Sequence, residues 1–176
     1  MRLLDYFLKN GDGLFIYVGK KQTIIERELI HQHGFQLITY EEYDKLRVRF
    51  LGTINKRGDT FCIAKNSKQF GSLITPTLAQ LSDKNNTMLV LSSKSNVEDI
   101  QSANDIKAVI GYTFSKNTVR INGICNNQVI KSTGGRVLIN HLTNACKNKN
   151  LMIKSYANKT IKRNSPPKRN KTRRRY

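Results

Sequence analysis

Acidic residues are what this chain lacks, and it lacks them in one half only. All twelve Asp and Glu lie between Asp5 and Asp105, among 14 Lys and Arg; residues 106–176 hold 17 Lys and Arg and no carboxylate. Of the formal net charge of +19, the second half therefore carries +17. Such a half can neither neutralise itself nor supply its own carboxylate base. It calls for an anionic partner: nucleic acid, an acidic protein or a phosphorylated cofactor. Cysteine is also scarce. Cys62, Cys125 and Cys146 are widely spaced and odd in number, which fits a reducing compartment. No Cys or Cys/His spacing supports a zinc site, and His31 and His33, two apart on a helix, point to different faces, so no metal is expected. No run approaches the ~20 apolar residues of a membrane span. The start, Met1-Arg2-Leu3-Leu4-Asp5, lacks a secretory pattern, so the expectation is an intracellular protein, cytoplasmic or nuclear, without a membrane partner.

What is present reads as one α/β domain over residues 1–158 and a basic tail over 159–176. Leu14 to Val18 is a short apolar strand ended by Gly19. Thr23 and Glu26 match a capping box before helically spaced Ile24, Ile25, Leu29 and Ile30, and Gly34 stands where that helix should stop. Phe35 to Thr39 reads as a strand. Thr39 and Glu42 form a second capping box into a short helix over Glu41 to Leu46. Val48 to Ile54 and Thr60 to Ala64 read as a hairpin, and Thr75-Pro76 opens a helix through Leu81. No motif assigns a role to residues 1–83. Thr87 to Leu91 is a buried strand, and Ser95 to Ala103 a short capped helix. Ile106 to Ser115 and Thr118 to Cys125 form an antiparallel pair about a tight turn.

The stretch that follows carries the chemistry. Lys131-Ser-Thr-Gly-Gly-Arg136 opens a helix over Val137 to Cys146 directly after a strand, and a further strand begins at Leu151. Hydroxyls and glycines at such a turn aim backbone N–H groups and the positive end of a helix dipole at one point, which suits phosphate. Lys131 and Arg136 add the charge that phosphates favour.

From Thr87 onward the expected order is β-α-β-β-α-β, shared by RNA-recognition modules and by the core of the GNAT acyltransferase superfamily. The RNA alternative needs stacking aromatics on two central strands. Tyr112 and Phe114 supply one strand, and Thr87 to Leu91 supplies none. Over residues 87–156 the chain resembles the GNAT superfamily in Ile121-Asn-Gly-Ile-Cys125, Thr133-Gly-Gly-Arg-Val-Leu-Ile139 and Leu151-Met-Ile-Lys154. That resemblance implies a mixed, largely antiparallel sheet flanked by helices and a strand ending in a splayed segment. It further implies binding of acetyl-CoA through Ile124, Cys125, Lys131, Ser132, Thr133, Gly134, Gly135 and Arg136, with N-acyl transfer to an amine. No catalytic residue is assigned. Tyr112 and Tyr156 read as core tyrosines, and Glu98, Asp99 and Asp105 as cap and surface charges.

The tail gives the alternative function. From Lys159 to Tyr176 it holds nine Lys and Arg, and a polar segment with Pro166-Pro167 is expected to be disordered alone. Lys162, Arg163, Lys168, Arg169, Lys171, Arg173, Arg174 and Arg175 would bind nucleic acid through its phosphates, without reading sequence, in a non-catalytic protein using residues 106–176. The same run also matches a nuclear-localisation address.

Overall fold

The computed structural model of the chain describes residues 11–52 and 86–154. Its centre is a six-stranded mixed sheet in the order β2-β1-β3-β4-β5-β6. β1 (Gly13–Tyr17), β3 (Thr87–Ser92), β4 (Ile106–Ser115) and β5 (Thr118–Asn126) pair antiparallel in succession. The two flanking strands are parallel: β2 (Gln36–Leu37) beside β1, and β6 (Met152–Lys154) beside β5. α1 (Ile24–His33), α2 (Tyr40–Gly52) and α3 (Gly135–Asn148) cover the faces.

Successive side chains on a strand point to opposite faces, so the apolar runs feed two cores. Leu14, Ile16, Leu89, Leu91, Ile110 and Tyr112 meet Leu29 of α1 and Leu138 and Leu142 of α3. Phe15, Tyr17, Met88, Val90 and Val109 meet Tyr43 and Leu46 of α2 on the other side. Tyr17 and Tyr43 stack face to face with centroids 4.4 Å apart. Each fully buried Leu or Ile here contributes about 1.5–3 kcal/mol relative to exposure.

Local signals in the sequence account for several boundaries. Gly34 takes the left-handed conformation (φ 75°) and its N–H donates to Leu29 O, ending α1. At α2 the capping box forms: Thr39 N–H donates to Glu42 Oε1 (3.0 Å), and Glu42 N–H to Thr39 Oγ1 (3.2 Å). Lys116 and Asn117, both at positive φ, make the two-residue turn between β4 and β5.

Four expectations are corrected. Thr23 does not cap α1; its hydroxyl donates to the Glu26 carboxylate, which is buried and also accepts from Thr87 Oγ1 (3.5 Å). Residues from Val48 to Gly52 belong to α2, because Tyr43 and Leu46 anchor that helix and Arg49 Nη1 donates to Ile100 O, leaving Val48 exposed. The strand over Phe35 to Thr39 shrinks to two residues. The helix over Ser95 to Ala103 is replaced by 3-10 turns at Val97–Asp99 and Ala103–Asp105, where Ser102 and Asp105 form the capping box. With no α-helix between β3 and β4, the order β-α-β-β-α-β expected from Thr87 onward, which both families share, is not formed; the observed order is β-β-β-α-β. The expected elements Thr60 to Ala64 and Thr75 to Leu81 lie outside the described residues, as does the tail.

Two bulges shape one end of the sheet. β4 carries an extra residue, Lys107, opposite Leu91 and Ser92; β5 carries one, Asn122, opposite Gly111 and Tyr112. The second reverses the alternation of β5, so that Val119 and Ile121 face α1 and α3 while Cys125 faces the α2 side. β6 pairs with Thr118, Val119 and Arg120 only. Among the described residues, the C-terminal half of β5 therefore has no strand beside it on that side. No helix among the described residues is long and apolar enough to cross a membrane.

Candidate phosphate-binding site at the start of α3

The turn between β5 and α3 is built from asparagines that the sequence pattern did not single out. Asn127 is fully buried; its Nδ2 donates to Ala103 O (3.1 Å) and Ile106 O (2.9 Å), and its Oδ1 accepts from Val129 N (3.1 Å). The backbone N of Ser132 returns to Asn127 O at 3.0 Å, closing the loop. Asn126 Oδ1 accepts from Gly135 N at 2.7 Å and so caps the helix from the strand. The only available signal was the pair Asn126-Asn127 at a strand end, a residue type that bonds nearby backbone.

The glycines are required by crowding, not by backbone angle. A Cβ on Gly134 would lie 2.7 Å from Leu91 Cδ2 and 3.2 Å from Lys107 Cβ. A Cβ on Gly135 would lie 2.8 Å from Asn126 Oδ1 and 3.1 Å from Ile124 Cγ2. These contacts bring α3 down onto β3, β4 and β5. Lys131, by contrast, is a non-glycine at φ 52°, a conformation that costs about 1–2 kcal/mol for an L-residue.

Beside this turn lies a cavity of about 330 Å³. Its lining joins Lys131, Ser132, Thr133, Gly134 and Arg136 with an apolar wall of Leu91, Ile130 and Val137. Five of the eight expected cofactor residues thus share one space. Three do not line it: Ile124 is exposed on β5, Gly135 is packed beneath Asn126 and Ile124, and Cys125 is buried on the opposite face of the sheet. Cys125 is disulfide-bonded, so the sparse cysteines do not by themselves argue for a reducing compartment. The other expected phosphate-binding group, Lys162 through Arg175, lies outside the described residues.

Two lining residues come from elsewhere in the chain. Lys107 reaches the cavity from the bulge in β4, and Asp12 from just before β1. Lys107 Nζ donates to Asp12 Oδ1 and Oδ2, each at 2.9 Å, with the side chains only 17% and 4% exposed. The acid-free half is therefore supplied at this cavity with a carboxylate from just before β1, which no local pattern announces.

The free-amide cradle expected from the sequence is not what the turn presents. Gly134 N–H donates to Ser132 Oγ (3.0 Å), Gly135 N–H to Asn126 Oδ1, Arg136 N–H to Thr133 O (3.2 Å) and Val137 N–H to Gly134 O (3.0 Å). The first four donors of the helix are already engaged, two of them by side-chain oxygens. What remains uncompensated is charge: α3 has no acid in its first turn, and Lys131 and Arg136 are exposed.

Other polar groups fall outside this cavity. Tyr112 is fully buried, and burial, with the Glu26 carboxylate nearby, pushes its hydroxyl well above the ordinary range. It has no route to a ligand there. Asp105 Oδ2 accepts from Gln101 N and Ser102 N, and Glu98 and Asp99 are exposed, in keeping with cap and surface roles. His33 is half-buried, with its Nδ1 3.0 Å from Nδ1 of buried His141. Among the described residues no group of three or more His, Cys, Asp or Glu could hold a metal.

No protein-family model matches the chain, and no curated protein matches it. Among solved structures it is similar to L-PGS from Bacillus licheniformis, with 11% identity and a TM-score of 0.36 over 85% of this chain. The chain spans 35% of the length of that protein, and a likeness at this level carries no argument about fold family or activity.

Proposed function

We propose that the chain is a GNAT-like acyl-CoA-binding protein, an N-acetyltransferase by class, that holds the phosphates of acetyl-CoA in the cavity at the start of α3. The observation that carries this reading is the convergence of Lys131 and Arg136 with Ser132 and Thr133 around one space, which Lys107 also lines in a pair with Asp12, at a helix with no acid in its first turn. Ser132 Oγ and Asn126 Oδ1 already sit on the amides of Gly134 and Gly135, where phosphate oxygens would otherwise sit. Binding is then an exchange of side-chain acceptors for ligand oxygens, strengthened by charge-assisted bonds from Lys131 and Arg136. The bulge at Asn122 and the early end of the β5–β6 pairing leave the C-terminal half of β5, among the described residues, without a strand on that side, and this supports the splayed strand that the resemblance implies. Acyl transfer to an amine also needs a proton acceptor. No described residue is assigned that role.

Isothermal titration with acetyl-CoA tests the reading. Binding that is lost in Lys131→Glu/Arg136→Glu, two exposed positions, is the expected result. A wild-type chain that takes up no acetyl-CoA would end the proposal.

A second reading is nucleic-acid binding by the acid-free half. It rests on exposed Lys116, Arg120, Lys131, Arg136 and Lys147, with no acid from residue 106 onward. Affinity for duplex or single-stranded DNA should fall steeply with salt and weaken on deletion of residues 160–176. Affinity indifferent to both would exclude it.

A further inference from the structure

We infer that the Asp12–Lys107 pair is a lock on the phosphate cavity, with Lys107 a third phosphate ligand that Asp12 holds in reserve, so that the cavity prefers adjacent phosphoryl groups to a single one. This rests on the phosphate reading of the cavity but goes beyond it, because neither residue belongs to the turn.

The cavity has two kinds of cation. Lys131 and Arg136 are exposed. Lys107 is mostly buried on the wall, placed there by the bulge that breaks the β3–β4 register. An ammonium has three N–H donors, and two of them are directed at the Asp12 oxygens at 2.9 Å each. The third is left for a ligand oxygen, but that oxygen would lie close to a carboxylate that is 96% buried and so weakly screened by solvent. Asp12 therefore does two things to a phosphate at Lys107: it cancels the lysine's charge, and it repels the incoming anion.

A single phosphoryl group has too little to gain there and stays with Lys131 and Arg136. A diphosphate can keep one group on those two side chains and extend the other to Lys107, and the cavity, at about 330 Å³, has room for roughly ten water volumes. The linkage fixes a second contact once the first is made. The preference for diphosphate is thus set by Asp12, not by the turn.

Calorimetric titration of the full chain with inorganic pyrophosphate and orthophosphate, for the wild type, Asp12→Asn, Lys107→Met and the double variant, tests this. Asp12→Asn keeps an oxygen toward Lys107 and removes the negative charge. It should tighten orthophosphate binding about tenfold, the scale of one charged hydrogen bond, and narrow the pyrophosphate preference. Lys107→Met should weaken pyrophosphate more than orthophosphate, and in that background Asp12→Asn should relieve repulsion for both anions alike without restoring the pyrophosphate preference.

Affinities that do not change in Asp12→Asn, in a wild type that binds pyrophosphate, overturn the lock and leave the cavity as a site. Binding absent from the wild type and gained in Asp12→Asn supports the lock and overturns the diphosphate preference. Binding absent from both overturns the lock together with the phosphate reading. Thermal melting without ligand checks each variant's fold. If Asp12→Asn does not fold, Asp12→Ser is titrated in its place against the same expectations.

Discussion

Two helices in this molecule begin shortly after a strand, and they begin in opposite ways. α1, which follows β1, has Glu26 in its first turn. That carboxylate is buried, takes hydrogen bonds from Thr23 and Thr87, and offsets the positive end of the helix from within. α3, which follows β5, has two glycines and Arg136 in the same region and no acid. Its positive end is left facing the cavity with Lys131 and Arg136. One helix start is closed and belongs to the core; the other is open and charged. Position in a strand–turn–helix unit does not make a phosphate site. The proposed site rests instead on unanswered charge, since the acid that lines the cavity, Asp12, is committed to Lys107.

The largest effects should come from the shared core. Leu138→Ala removes a fully buried side chain that docks α3 on the sheet, and should cost about 2–5 kcal/mol in chemical denaturation. Leu29→Ala on α1 should cost a similar amount. The two together would place both helices on equal structural footing.

Gly134→Val comes next and separates the two helix starts. Its side chain has no space against Leu91 and Lys107, so a loss of about 1–3 kcal/mol is expected. Acetyl-CoA binding should fall with it, since α3 must lift. Glu26→Gln at the closed start should cost about 1–3 kcal/mol through its buried hydroxyl partners and leave ligand binding unchanged. Binding lost with Glu26→Gln would erase the distinction drawn here.

Alkaline pH acts on the core that both helices share. Burial pushes the Cys146 thiol from 9.0 to about 12, and pushes the Tyr112 hydroxyl well above 10.0. Both folded-state values lie above the unfolded ones, so this stability is complete below pH 9.0 and is lost as pH rises toward about 12. The melting temperature should decline over that window, and Cys146→Ala should make the decline shallower. A melting temperature level from pH 9 to 11 would count against it.

The smallest effect on stability should be at the open start. Lys131→Glu/Arg136→Glu alters exposed side chains and should stay within about 0.5 kcal/mol of wild type per site. A large change at these sites would mean that the charges hold the turn together instead of awaiting a ligand.

How much of this was legible follows from the range of each signal. Gly34, the Thr39–Glu42 box and the Lys116-Asn117 turn act within four residues, and local pattern located them. The pairing of β4 with β5, and the glycine turn before α3, were likewise visible in apolar runs and turn residues. The extension of α2 to Gly52 was not, because Val48 to Gly52 reads as a strand until Tyr43 and Leu46 are seen to anchor the helix. Nor were the bulges at Lys107 and Asn122, which only pairing defines. Asp12 lies 95 positions from Lys107, and a count of acids along the chain could only call the second half unsupplied. The engaged amides of Gly134 and Gly135 depend on where Asn126 and Ser132 point, and that is a property of the folded turn.

The most direct test of the central claim is a map of backbone amide shifts in a ¹⁵N-labelled chain titrated with acetyl-CoA. Shifts concentrated on Asn126, Lys107 and the segment from Lys131 to Val137, with the α1 start at Thr23 to Glu26 unmoved, are the predicted result. Shifts absent from that segment, or as large at the start of α1 as at the start of α3, would contradict the account.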